Sequence, residues 1–109
     1  MSSFAKMPKP PYYAVIFCSK RTDGDNGYSK MSEKMVELAT SQQGFLGVES
    51  ARDDGMGITV SYWESLDAIK AWKENAAHKV AQERGKKDWY ESFALKVCKV
   101  ERDYYFEME

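Results

Sequence analysis

Histidine occurs once in this 109-residue chain, at His78, and cysteine only twice, at Cys18 and Cys98. The cysteines stand far apart, each inside an apolar strand-like run, and no close-spaced Cys or His pair is present to chelate zinc, so no metal site is expected. Both read as buried free thiols, inert because no helix N-terminus or basic neighbour is placed to lower a thiol pKa. Long apolar runs are missing as well. Nowhere do eighteen apolar residues follow one another, and the first eleven residues hold Lys6, Lys9 and three prolines where a signal peptide would be apolar. The expectation is a soluble, cytoplasmic protein that neither spans nor binds a membrane. Charge of one sign is equally scarce: sixteen basic against seventeen acidic residues give a formal net charge of -1, without a block of five like charges. That removes the electrostatic footprint that nucleic acid or an acidic membrane surface would require.

A chain of this length forms one domain, in which a single sheet and two or three helices exhaust the residues. Residues 1–11 read as an extended arm, because Pro8, Pro10 and Pro11 favour extended, unpaired backbone, and residues 12–109 as the domain itself. Tyr12 to Ser19 is a strand with apolar residues on both alternating sets, so both of its faces call for burial. A turn-rich loop through Gly27 leads to a helix from about Tyr28 to Ser41, whose Met31, Met35, Leu38 and Ala39 make an ordinary core stripe, and Gly44 stops it. A second strand covers Phe45 to Asp53. The Asp53-Asp54-Gly55 signal then joins it as an antiparallel hairpin to a third strand, Ile58 to Trp63, because Asp-Gly tolerates the positive backbone angles of tight hairpins.

The stretch from Gly57 to His78 organises the rest. Ser65 stands where an N-cap would, and Asp67 puts a negative charge near the positive helix end. Ala68, Ile69, Trp72 and Ala76 share one helical face, which directs Trp72 inward. Asn75 reads as a second cap that breaks the helix and starts another with Ala77 and His78 in its first turn, so that Trp72 and His78 can face the same space. That helix runs to about Glu83, with Arg84-Gly85-Lys86-Lys87 marking its solvated end. Trp89, Tyr90 and Phe93 follow as an aromatic cluster, and the last strand is expected from about Lys96 to Phe106. Along the third strand Tyr62 and Trp63 point to opposite faces.

The order strand, helix, strand, strand, broken helix, strand is the split βαβ, or ferredoxin-like, arrangement: an α+β fold, one antiparallel sheet with helices on one face. The other sheet face would then be bare. Because the first strand is apolar on both sides, a homodimer packed sheet to sheet is expected.

The run Trp63-Glu64-Ser65 through Ala68, Trp72, His78 and Trp89-Tyr90, closed by Tyr104-Tyr105-Phe106, resembles the antibiotic biosynthesis monooxygenase family. Gly44-Phe45-Leu46-Gly47 is similar to the family's phrase between first helix and second strand. The resemblance covers about Tyr12 to Phe106. It implies a ferredoxin-like subunit, a dimeric α/β barrel, and a pocket between sheet and helices. Members include cofactor-independent oxygenases of polycyclic phenols and quinols, and haem-degrading oxygenases. The haem enzymes use a histidine, an earlier tryptophan and a first-strand asparagine. His78 and Trp72 resemble the first two at a shorter spacing, and Phe17, Cys18 and Ser19 occupy the asparagine's region.

For a quinol oxygenase the protein must supply an apolar pocket, one base and exclusion of water. His78 is the candidate base, and Phe17, Trp63, Trp72, Trp89, Tyr90 and Phe93 are the candidate walls for a flat substrate, without any cofactor. Each residue also has a plainer reading: His78 as a capping or surface residue, Trp72 as core. The competing class is a non-catalytic dimeric module that binds a small apolar ligand or serves in stress.

Overall fold

The computed structural model describes residues 4–108, apart from the side chains of residues 76 and 77. The first three residues of the expected arm, residue 109, and the side chain of Ala76 therefore lie outside the described residues. The elements run β1 (Tyr12–Arg21), α1 (Tyr28–Thr40), β2 (Phe45–Arg52), β3 (Gly57–Trp63), α2 (Leu66–Glu74), α3 (Ala76–Arg84), a π-helical turn (Gly85–Trp89) and β4 (Tyr90–Val100). The four strands form one sheet in the order β2-β3-β1-β4, all neighbours antiparallel. This is the ferredoxin-like α+β arrangement expected from the sequence. No helix among the described residues is long and apolar enough to cross a membrane.

Local chemistry explains most boundaries. Asp25 caps α1: its carboxylate accepts from the Ser29 amide at 3.2 Å and from the Ser29 hydroxyl, which holds its pKa below the usual carboxylate range. The hairpin between β2 and β3 forms, but by a different device from the one expected. Gly55 is not among the glycines with positive φ. Instead Asp53 Oδ1 accepts from the amides of Gly55 and Met56 at 2.8 and 2.9 Å, while the Asp53 amide donates to the Met56 carbonyl. The side chain thus stands in for a backbone turn.

Two expected boundaries are corrected. The chain does not leave helix at Arg84 to Lys87 but continues in a π-helical turn to Trp89, closed by the Tyr90 amide donating to Gly85 O. The last strand spans Tyr90–Val100 in place of Lys96 to Phe106. The reason is the partner: β1 extends to Arg21 and pairs there with Tyr90, and it begins at Tyr12, opposite Val100, so residues beyond Val100 have no ladder to join.

Strand register sorts the side chains into rows across the sheet. On the helix-covered face the rows are Arg52–Gly57–Ser19–Phe93, Ser50–Thr59–Phe17–Leu95, Val48–Ser61–Val15–Val97 and Phe45–Trp63–Tyr13–Lys99. Trp63 is fully buried there, while Tyr62 points to the opposite face and packs edge-on against Tyr12. Cys18 and Cys98 share that opposite face, but Cys18 pairs with Ala94 and Cys98 with Ala14, so they stand four residues apart in register and both thiols are free.

The opposite face is not as bare as expected. The segments flanking the sheet cross one end of it. A Cβ on Gly47 would meet Met7 and Ala5, the Ala5 amide donates to Glu49 at 3.0 Å, and the Tyr12 hydroxyl donates to Asp103 beside Tyr105. Tyr12 is buried as a result, and Glu49 also accepts from the Tyr62 hydroxyl at 2.6 Å, which together with burial pushes the Tyr62 pKa up to about 12. Towards the other end Ile58 stays exposed.

Gly44 joins α1 to β2 at φ 86°, and a Cβ there would lie 2.6 Å from Ala68 Cβ on α2; Gly27, the residue before α1, has φ 84° and open space. Gly44→Ala is therefore expected to destabilise the fold by about 3 kcal/mol, left-handed strain plus overlap, and Gly27→Ala by about 1 kcal/mol from strain alone. Urea denaturation midpoints of the two variants check this difference.

Candidate functional site

The site begins with a helix that breaks on cue. Ser65 Oγ accepts from the Ala68 amide at 3.1 Å and Asp67 lies in the first turn, which starts α2 directly after β3. At its end Asn75 turns extended (φ -59°, ψ 129°) and its Oδ1 accepts from the His78 amide at 3.2 Å, capping α3. This break folds the imidazole of His78 back onto Trp72, with ring centroids 4.2 Å apart and planes within 14°. Trp72 in turn stacks on Trp63 at 6.1 Å, and Phe45 meets Trp63 edge-on at 5.3 Å. The Trp63 indole N–H donates to Ser61 at 2.9 Å, so the buried ring has its polar atom satisfied. Trp72 is half-buried, between the core indole and the imidazole.

His78 Nδ1 lies 3.0 Å from the Trp72 carbonyl oxygen. That oxygen can only accept, so the neutral ring carries its proton on Nδ1 and leaves Nε2 as an unprotonated lone pair. Among the described residues no buried side-chain nitrogen or oxygen is without a hydrogen-bond partner, and Nε2 has none, so Nε2 opens to solvent. Burial depresses the His78 pKa below its ordinary value, partly offset by the bond to the Trp72 carbonyl. At neutral pH the ring is uncharged and Nε2 can take a proton.

A second ring group sits at the far end of the same face. Phe17 contacts Tyr90 and Phe93, both at 5.3 Å, and Tyr28 at the start of α1 meets Tyr90 and Trp89 edge-on at 5.8 Å. Trp89 is structural. Its indole N–H donates to Asn26 O at 2.9 Å and its carbonyl accepts from Thr22 N and Arg21 Nε, tying the loop before α1 to the π-helical turn. The turn itself seats Tyr90, whose ring packs so closely on Gly85 that a Cβ there would stand 2.9 Å from it. Arg21 spreads its guanidinium 3.5 Å over the Tyr28 ring.

The residues singled out from sequence therefore fall into two groups. Trp63 and Trp72 gather with His78; Phe17, Trp89, Tyr90 and Phe93 gather towards the other end, the Phe17 row about 13 Å and the Phe93 row about 20 Å away along the strands at roughly 3.3 Å per residue. Sequence reading missed Phe45 and Tyr28 as members. Phe45 directly follows the Gly44 that stops α1, and Tyr28 begins α1 after a turn cluster, so each carried a boundary signal without a site signal. The haem-enzyme pattern has no counterpart at the asparagine's region: Phe17 is taken up by rings, Ser19 by Arg52, and Cys18 faces away, so none of these three positions offers a donor for an iron-bound ligand. The broad groove along Lys79, Val80, Glu83 and Lys87 is a solvated helix edge outside both groups.

Sheet, broken helix and ring groups together define a ferredoxin-like α+β protein with its candidate chemistry on the helix-covered face. The chain matches the antibiotic biosynthesis monooxygenase family over residues 11–84 and belongs to it. It is similar to the uncharacterized protein YqjZ of Bacillus subtilis (strain 168), 53% identical over 108 residues that cover 98% of this chain and 95% of that one. Among solved structures it is similar to SnoaB, a cofactor-independent oxygenase from Streptomyces nogalater, at a TM-score of 0.75 and 10% identity, covering 90% of this chain and 100% of that one. It is also similar to Rv0793 from Mycobacterium tuberculosis, at a TM-score of 0.72 and 11% identity, covering 85% and 97% of the two chains. At these identities the structural likeness speaks for the fold.

His78 is the only histidine, so its imidazole titrates alone in proton NMR, with an expected midpoint below the ordinary value of about 6.5. Between the folded midpoint and about 6.5 the unfolded chain binds more protons, so this contribution to stability is complete above about pH 6.5 and is lost as pH falls through the folded midpoint. In urea unfolding across that window His78→Asn is expected to flatten the slope of stability against pH.

Proposed function

We propose that the protein is a cofactor-independent monooxygenase of a hydrophobic aromatic phenol or quinol, with His78 as general base, working as a homodimer in the cytoplasm. The observation that carries this reading is the His78 ring itself: locked by the Trp72 carbonyl, stacked on the Trp72 indole, which in turn stacks on Trp63, and presenting an unprotonated Nε2. Family membership and the likeness to a cofactor-independent oxygenase support it.

The chemistry needs little more. Nε2 takes the phenol proton, and the phenolate passes one electron to dioxygen, giving a substrate radical and superoxide. These combine at a ring carbon that bears hydrogen, forming a C–O bond and a hydroperoxide. Loss of that hydrogen and cleavage of the O–O bond, with the proton returned from His78, release water and leave a quinone carbonyl. One oxygen atom enters the product and one leaves as water, with all electrons drawn from substrate. The half-buried Trp72, backed by the fully buried Trp63, supplies an apolar wall that would hold the ring system and exclude water. Of the second group, Phe17 and Tyr90 would close the far end of the same face, while Trp89 is committed to the loop before α1.

Dimerisation rests on the opposite face, where Ile58 is exposed and Ile16, Cys18 and Val60 are half-buried. Sedimentation equilibrium is expected to give twice the 12.5 kDa chain mass, and Ile58→Lys to shift the equilibrium towards monomer.

Oxygen uptake in an electrode, with a panel of polycyclic phenols and quinols and no added flavin or metal, tests the reaction. Wild-type protein is expected to consume oxygen and release quinone, and His78→Ala to lower kcat by about a hundredfold or more, the range for removing a general base. Saturable phenol binding without oxygen uptake would favour the non-catalytic ligand-binding module instead.

A further inference from the structure

One row of the sheet is built around an arginine that the His78 chemistry does not use. Arg52, at the end of edge strand β2, does not turn outward. Its guanidinium lies across Gly57 of β3 and donates to the hydroxyl of Ser19 on β1 at 2.6 Å. Only glycine permits the crossing: a Cβ on Gly57 would stand 2.2 Å from Arg52 Nη2 and 2.3 Å from Cζ. Ser19 is 2% exposed, so Arg52 also satisfies a hydroxyl that is otherwise buried. Opposite Ser19 in the register is Phe93 of β4.

The arginine is held in place yet keeps donors available. Guanidinium has five N–H donors, and Ser19 is its sole hydrogen-bond partner among the described residues. No carboxylate among them lies within ion-pair distance of it. Asp53, next in sequence, is occupied in the hairpin turn. Arg21 differs: its Nε and Nη2 donors go to the carbonyls of Trp89, Gly24 and Asp25 and its guanidinium lies over the Tyr28 ring, so it is tied to the loop before α1 and adds positive field. Both arginines act electrostatically on the Tyr90 hydroxyl, opposing the rise in its pKa that burial causes. Beside this charged end lies an open apolar shelf, with Phe93 43% and Leu95 52% exposed on the same face.

We propose that this row is a second binding site, independent of His78, for a flat aromatic carboxylate whose carboxylate takes the outward N–H pair of Arg52 and whose rings lie on Phe93 and Leu95. A planar guanidinium fixed by one bond matches a carboxylate with two parallel hydrogen bonds and little further loss of side-chain freedom. The apolar shelf alone would not distinguish an acid from the corresponding alcohol; the arginine does.

Calorimetric titration with 2-naphthoate and with the neutral 2-naphthalenemethanol tests the site. Wild-type protein is expected to bind the carboxylate at least about tenfold more tightly than the alcohol, as a bidentate charge-assisted pair to a guanidinium already held by Ser19 warrants. Arg52→Gln is expected to abolish that preference and leave alcohol binding within about twofold. Gly57→Ala keeps every charge but places a methyl where the guanidinium lies, and its φ needs no glycine, so it is expected to remove the same preference in a chain that still folds by far-UV circular dichroism. Arg52→Lys, which keeps charge without the fork, is expected to restore only part of it. The proposal is overturned if wild-type protein shows no saturable naphthoate binding, or binds acid and alcohol alike, or if both Arg52→Gln and Gly57→Ala keep the preference. None of these readouts involves oxygen, so failure of the oxygenase reading leaves this test standing.

Discussion

The register of β1 between β3 and β4 is the constraint on which the rest depends. Side chains alternate with period two, so a slip of β1 by one residue would turn Phe17 and Ser19 away from the helices and bring Cys18 under them. The register is defended from both sides. Trp63 is completely buried on the helix-covered face, with Phe45 and Trp72 against it, and Tyr12 anchors the opposite face through Tyr62 and Asp103. Two faces with different chemistry follow from that single alignment. One carries rings, a histidine and two arginines, and the other carries aliphatic side chains with tyrosine and carboxylate pairs at one end.

Function divides along the rows. At the Trp63 end the break at Asn75 sets the imidazole on the indole stack with its proton committed to the Trp72 carbonyl. At the Phe93 end Gly57 lets an arginine cross β3 and Ser19 receives it on β1. A base and an anion receptor thus occupy opposite ends of one face, too far apart for one small ligand to reach both. The π-helical turn belongs to the second end: by taking one more residue per turn it delivers Trp89 to the loop before α1 and Tyr90 to Phe17.

What the sequence made legible was local. The caps at Ser65 and Asn75, the core stripe of α1 and the pairing of β2 with β3 all depend on residues within a few positions of one another, and those features stand where periodicity and capping chemistry put them. The start of β4 was hidden because Trp89, Tyr90 and Phe93 read as one aromatic cluster, whereas the chain passes from helix to strand between Trp89 and Tyr90. Its end was misplaced because Arg102 to Phe106 alternates like a strand but has no partner beyond Tyr12. The Arg52–Gly57–Ser19 row left no trace in the sequence at all. Its members are ordinary residues 33 or more positions apart at the extremes, and only the register makes them neighbours. The division of the candidate walls into two groups was hidden for the same reason.

His78 can serve as the base only with its own proton on Nδ1, facing the Trp72 carbonyl. Long-range nitrogen–proton correlation NMR of uniformly labelled protein, recorded above the imidazole midpoint, reads this directly because no other histidine is present. Protonation at Nδ1 with Nε2 bare is the result expected from the Trp72 carbonyl bond. A ring protonated at Nε2 would contradict it and remove His78 as the base.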